Sequence, residues 1–236
     1  MTETQNHCKY CNSVGTGNFC ATCGEKYKAT RLSITSISHE VFHFFTHLDH
    51  GFLYTLKRLG TSPCKMQREY IEGYRAKYQK PFSMFFLCGT IAALVIYWIN
   101  LILINHFDAG DNRESLFFHK YWVILQICMQ PFYALLTFLF FRKAKLNYGE
   151  ILVFQLYLFS FLFIILSAIH LFKFLLPHLQ TRYIELPVII IYTLITNLNF
   201  FKNLKKSHTI FLALLNIIIS FLLASYIQDF LVPVFT

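Results

Sequence analysis

Charge is scarce in this sequence. Only 14% of its 236 residues are Asp, Glu, Lys or Arg, while 56% are hydrophobic and 18% aromatic, which excludes an ordinary soluble domain of this length and assigns the chain to a bilayer. The first 30 residues lack the apolar run of a secretory leader, so the first membrane span is expected to act as its own insertion signal. Ionisable residues are nearly missing from the centres of the apolar stretches. That argues against a proton- or ion-coupled transporter, which buries charge along its path. No complete catalytic constellation is present either, so an enzyme is not the leading expectation.

The apolar residues that are present gather after Pro81. Segments 82–105, 121–141, 151–172, 186–201 and 210–231 approach or exceed the roughly 20 helical residues that cross a hydrocarbon core. They predict an all-α membrane protein, a five-span helical bundle over residues 82–236. The fourth segment is short unless Tyr183 to Glu185 join it, and four spans is the alternative. Of the 21 Lys and Arg residues, seventeen fall in residues 1–81, in Arg142 to Glu150 and in Lys202 to His208. The alternate loops hold only Arg113, Lys120, Lys173 and Arg182. Short loops rich in Lys and Arg stay inside, so the N-terminus is expected in the cytoplasm of a bacterial inner membrane and the C-terminus outside it. The formal charge of +9 borders the spans, where attraction to anionic lipid headgroups accounts for it without nucleic acid.

Residues 1–28 carry the clearest chemistry. Cys8-Lys-Tyr-Cys11 and Cys20-Ala-Thr-Cys23-Gly24 are two Cys-x-x-Cys turns separated by eight residues. Two such turns converge four thiolates on one ion, the ligand set of a structural zinc ribbon. Gly15, Gly17 and Gly24 are expected to supply turn freedom, and the ion to supply most of the folding free energy of so short a segment. Disulfides suit an oxidising compartment, and a redox dithiol needs a larger fold around it. Cys64, Cys88 and Cys128 lack partners at metal spacing and read as apolar filler.

Residues 29–81 are expected to form cytoplasmic, interfacial amphipathic helices. His39-Glu40-Val41-Phe42-His43 matches the zinc-protease pattern H-E-x-x-H, with His39 and His43 as ligands and Glu40 as general base. Thr46 stands where such proteases turn on Gly, and Asp49, the candidate third ligand, would point about 100° away from the two imidazoles on a continuous helix. The same stretch, Ile34 to Gly51, segregates its histidines from Ile37, Val41, Phe44, Phe45 and Leu48, as an amphipathic helix does, with Gly51 as its C-cap. Phe52 to Leu59 predicts a second short helix. Pro63 opens a third, carrying Arg68, Glu69, Tyr70, Glu72 and Tyr74, and Tyr70, Tyr74 and Tyr78 among basic residues read as an interfacial anchor.

In combination, the cysteine pairs, His47-x-Asp49-x-Gly51-Phe52-Leu53-x-Thr55-Leu56, Pro63, Arg68-Glu69-Tyr70-Ile71-x-Gly73-x-Arg75, Tyr78 and Pro81-Phe82 resemble an uncharacterised family of multi-span membrane proteins common in Bacteroidota. The resemblance covers residues 8 to about 85, with Cys64 where the family pattern has Gly. It implies an integral membrane protein with a cytosolic zinc ribbon and brings no activity with it. By topology alone, five spans after a cytosolic N-terminus are similar to the Yip family.

Within the spans, Asn100, Gln126, Gln130, Gln155, Asn197, Asn199 and Asn216 are expected to hydrogen-bond between helices, and Lys173 to meet Asp229 near the outer surface. The reading as a whole is a scaffold or adaptor whose partners are membrane lipids and other membrane proteins or a second copy of the chain. A membrane-embedded metalloprotease using His39, Glu40 and His43 is the first alternative, and a transporter or channel component the second.

Overall fold

The computed structural model describes residues 6–24, 26–27, 51–107, 113–177 and 179–235. A two-residue hairpin, β1 (Asn6–His7) with β2 (Val14–Gly15), opens the chain. Two short helices follow, α1 (Phe52–Thr61) and α2 (Pro63–Glu72). Then come five long ones: α3 (Pro81–Phe107), α4 (Arg113–Phe140), α5 (Tyr148–Leu171), α6 (Arg182–Phe200) and α7 (Lys206–Phe235).

Local chemistry sets several of these boundaries. Pro63 occupies the first position of α2, where its missing N–H costs nothing. Gly73 ends that helix at φ 108°, a left-handed conformation suited to glycine. A capping box starts α5: the Glu150 amide donates to Asn147 Oδ1 at 2.8 Å and the Asn147 amide to Glu150 Oε2 at 2.9 Å. The turn before it bends tightly through Lys145 at φ 58°. Helix α4 continues through Pro131.

Among the described residues, four helices are long and apolar enough to cross a membrane: Pro81–Asn105, Tyr148–Phe174, Arg182–Phe200 and Lys206–Ile227. Helix α4 adds a shorter apolar stretch, Leu125–Phe140. The central element is α5, with 61% of its apolar window buried against 11–39% for the other three. It packs on α3, α4, α6 and both short helices. The bundle is apolar outside as well: Trp98, Phe132, Leu139, Phe211, Leu222 and Phe230 are exposed. So much outward aromatic and aliphatic surface is what lipid, rather than water, would cover.

The ends of the bundle differ. Phe141, just after α4, stacks on Phe201, just after α6, with centroids 4.1 Å apart, and Phe154 in the second turn of α5 meets Phe200 at 4.3 Å. The 141–147 and 201–205 turns therefore share one end, and α1 and α2 pack against the same end. Most of the described basic residues gather there. The turn Phe172–Phe174 and the start of α6 lie at the opposite end.

Several expectations need correction. The fourth apolar stretch begins at Arg182 rather than Leu186, so Tyr183 to Glu185 do join it and Pro187 falls in the second turn. Gly51 has φ −89°, and its role is proximity: an added Cβ would lie 2.7 Å from the Lys77 carbonyl oxygen. Helix α2 stops at Glu72, before Tyr74. Tyr70 and Tyr78 are buried inside protein, 1% and 4% exposed, because each finds a specific partner there instead of a headgroup layer. His39, Glu40 and His43, together with the rest of the helix expected over residues 34–50, lie outside the described residues, as does the Asp229 side chain.

Candidate metal centre and the cap beside it

Backbone turns bring the four cysteines together. The Cys8 amide donates to Ser13 O at 2.9 Å and the Asn12 amide to Cys8 O at 3.0 Å, closing the first knuckle. The Gly24 amide donates to Cys20 O at 2.9 Å, closing the second. Gly17 and Gly24 sit at φ 111° and 73°, as their turns require, and Asn12 takes a third left-handed position at φ 61°. Gly15 acts differently from expectation: it leaves room for the Tyr27 hydroxyl, which an added Cβ would approach to 2.2 Å.

All four Sγ atoms lie within 4.8 Å of one another, so Cys8, Cys11, Cys20 and Cys23 could hold a metal ion. Cys8 and Cys23 are 3.5 Å apart and Cys11 and Cys20 3.4 Å apart, too far for a disulfide, whose sulfurs are about 2.05 Å apart. A tetrahedral ion with bonds of about 2.3 Å would hold its sulfurs about 3.8 Å apart. The set therefore fits with small adjustments. Ser13, which the cysteine spacing did not reveal, has its Oγ 2.9 Å from both Cys11 and Cys20 Sγ. Its hydroxyl proton can serve one thiolate at a time. Ser13 is the main reason that the Cys20 thiol is pulled down to about 5, with the Thr22 and Cys23 amides assisting against the effect of burial. Cys11 is lowered chiefly by Ser13 too.

Helices α1 and α2, with residues 73–80, form a cap on the bundle, tied by side-chain hydrogen bonds to the ends and flanks of the spans. Gln67 Nε2 donates to Phe154 O at 3.4 Å and Tyr192 Oη to Leu59 O at 3.3 Å. Arg68 donates to Phe200 O and lies over that ring. Cys64, buried rather than merely filling space, directs its thiol to Thr196 O at 3.5 Å. Thr55 Oγ1 donates to Gly51 O and accepts from the Gln79 amide, both at 2.8 Å. Glu69 pairs with Arg58 at 3.5 Å and accepts from the Tyr78 hydroxyl. Arg75 donates to Tyr70 O at 3.1 Å while its guanidinium lies over the Tyr70 ring.

Among the described residues, a lysine of the cap reaches the cysteine segment. Lys77 Nζ lies 4.4 Å from the Tyr10 ring centroid and 5.5 Å from that of Tyr54. The Tyr10 hydroxyl is the chief cause of a raised Lys77 pKa. Around the cysteines, Val14 and Phe19 are 50% and 58% exposed.

Inside the bundle, Gln155 Nε2 and Asn216 Nδ2 both donate to Thr137 Oγ1, at 2.5 and 2.7 Å, linking α5 and α7 through α4. Inter-helix bonding is the expected role of these two residues, although Thr137 as their shared acceptor is not visible in the sequence. Asn199 instead donates to Ile195 O in its own helix. At the far end His170 meets Glu185 at 3.2 Å, a pairing that the sequence did not suggest.

A family model described as "Protein of unknown function (DUF3667)" matches residues 49–93. No curated protein and no solved structure matches the chain. The matched residues are those of the cap and the first half of α3; the cysteine segment lies outside them.

Proposed function

We propose that this chain is a five-span inner-membrane scaffold that holds a structural zinc ribbon on the cytoplasmic face as a docking site for a protein partner. The observation that carries the reading is the bonding of the cap to span-end carbonyls. A ribbon set on such a cap is fixed in position relative to the membrane, which a mobile tether would not achieve. The cations Arg58, Arg68, Arg75 and Lys77 all face internal partners, which disfavours nucleic acid. Exposed Val14 and Phe19 supply the apolar surface for a protein partner.

Helix α4 supports the fifth span. It starts six residues after the end of α3 and ends beside the cap, and its 28 residues rise about 42 Å. The cytoplasmic orientation rests on the basic residues at the cap end. Two measurements test the proposal. Thr236→Cys should react with an impermeant thiol reagent from outside intact cells; reaction only after lysis overturns the topology. Purification in mild detergent should recover a membrane or cytoplasmic protein whose retention is lost in Val14→Ser/Phe19→Ser. Equal recovery with the variant overturns the docking role.

A further inference from the structure

A cavity of about 950 Å³ lies among α4, α5, α6 and α7, and neither the cap nor the metal centre uses it. It runs from Gln155 to His170 on α5 and from Asn197 to Arg182 on α6. Each interval is fifteen residues, or about 22 Å of helix. The end opposite the cap mixes charges. Glu185 pairs with His170 at 3.2 Å, Arg182 lies over the Phe221 ring, and Lys173 is already engaged. The late turns of α7 add Asp229, whose side chain lies outside the described residues. With cations and carboxylates together there, chemical selection falls to the opposite end. The walls between are apolar, with Leu162, Ile190 and Ile217 among them.

The floor beneath the cap is polar and built. Gln155 and Asn197 are 5% and 2% exposed, and Gln155 Oε1 and Asn197 Oδ1 have no hydrogen-bond partner among the described residues. Neighbours fix which way these amides point. Gln155 Nε2 donates to Thr137 Oγ1, whose own proton goes to Tyr133 O at 2.9 Å. Asn197 Nδ2 donates to Thr193 O at 2.8 Å, a carbonyl that can only accept. Turning either amide over would set its oxygen against an acceptor, so the group left over on each is the oxygen. Apart from Glu185 Oε1, which His170 engages, the remaining buried atom of the described lining without a hydrogen bond is Gln126 Oε1, an acceptor again.

Such a cleft suits a ligand with an apolar body and a donor head, because orphaned buried acceptors demand donors. A head that only accepts gains nothing from these oxygens. An ammonium would be stranded in an apolar interior, with no carboxylate among the described residues of the floor. A hydroxyl donates without carrying charge. Asn197 and Thr137 each lie three residues from the cap end of their helices, about 5 Å of rise. The floor is thus at the depth of the cap-side headgroups, and a chain running from it toward His170 keeps the orientation of a lipid in that leaflet. We propose that the cleft binds a hydroxyl-headed lipid, with its O–H donated to Gln155 Oε1 or Asn197 Oδ1 and its chain along the α5, α6 and α7 walls. The site is independent of the ribbon and its partner. Two sources share this chemistry: a free long-chain alcohol, and a monoacylglycerol from the surrounding leaflet.

Native mass spectrometry of the full-length protein in a neutral detergent, with hexadecanol, monopalmitoylglycerol and hexadecyl methyl ether as probes, tests this. One equivalent of a hydroxyl probe should bind about tenfold or more tightly than the ether, which keeps the chain and lacks the donor. Preference for hexadecanol identifies a free alcohol, and preference for the glyceride identifies a membrane source. Gln155→Met/Asn197→Leu, apolar and close in size, should bring the hydroxyl probes down to the affinity of the ether, with Asn197→Leu alone as the variant to use should the double one fail to fold. Ile190→Trp should block all three probes, with Ile217→Trp from the α7 wall as the second variant on the same ground. Equal binding of ether and hydroxyl probes to the native chain, as water held on the two carbonyls would produce, overturns the proposal. A hydroxyl preference that survives the floor substitutions, or full stoichiometry in a folded Trp variant, overturns it as well.

Discussion

The Tyr157 hydroxyl donates to the Gln79 carbonyl at 2.5 Å, tying the buried first half of α5 to the residues that lead the chain into α3. The Gln79 amide is held by Thr55 at 2.8 Å. Both backbone groups of one residue are thus satisfied by side chains from different elements, at a point where the chain leaves the cap and no helical ladder exists to do so.

Tyr157→Phe keeps the ring against Tyr70, whose centroid is 5.4 Å away, and removes only the donor. A buried carbonyl left without its partner costs about 1–3 kcal/mol. Thermal unfolding in detergent should register that loss, and Tyr157→Phe combined with Thr55→Val should cost more than either alone. A Tyr157→Phe protein as stable as the parent would show that water replaces the hydroxyl.

Metal retention should depend on pH in a defined direction. Cys20 falls from a usual 9.0 to about 5, so its contribution to the folded segment is fully present above the unfolded value and is lost as pH falls through the folded one. Zinc loading near one ion per chain at neutral pH should therefore decline as pH approaches about 5. Ser13→Ala, which removes the principal cause of the shift, should move zinc release to higher pH. Cys20→Ser/Cys23→Ser should lose the ion altogether, as read by elemental analysis.

Two glycines of α1 and its entry should respond oppositely to alanine. At Gly51 the added Cβ would meet backbone, 2.7 Å from Lys77 O and 2.9 Å from Gln79 N, and backbone cannot swing aside. Overpacking there should cost about 1–3 kcal/mol. At Gly60 the nearest atom is Phe161 Cζ at 3.1 Å, a side chain that can yield, while the helix gains about 0.5–1 kcal/mol from losing a glycine. Gly60→Ala should be near neutral. Equal losses in the two variants would refute the close-approach argument.

Thr137→Val should loosen the bundle, because one hydroxyl accepts from both Gln155 and Asn216. Hydrogen bonds between membrane helices are worth about 0.6 kcal/mol on average and up to about 1.7, so the combined loss should fall near 1–2 kcal/mol by detergent unfolding. Gln155→Leu should cost less in the Thr137→Val background than in the parent chain.

Much of this architecture was legible because bilayers and metal ions impose simple rules. The positions of α3, α5 and α7 follow from apolar length, and the convergence of the four cysteines from Cys-x-x-Cys spacing. The cap was legible only in part. Pro63 announced the start of α2, but Gly51 looks the same in sequence whether it ends a helix or admits a neighbouring backbone. Tyr70 and Tyr78 carry the composition of a lipid anchor, and only the tertiary fold reveals that Tyr157 and Glu69 take them inward. Ser13 and Thr137 are silent in the sequence because a hydroxyl between two thiols or two amides has no signature of its own.

The cap also imposes an order on biosynthesis. Cys64 and Arg68 bond to carbonyls of Thr196 and Phe200, each of which the ribosome adds 132 residues later. The cap can meet α3 and α5 early, yet it cannot close until α6 has been made and inserted. A nascent chain halted before residue 182 should leave the 60–75 region open to protease, and release of the full chain should protect it.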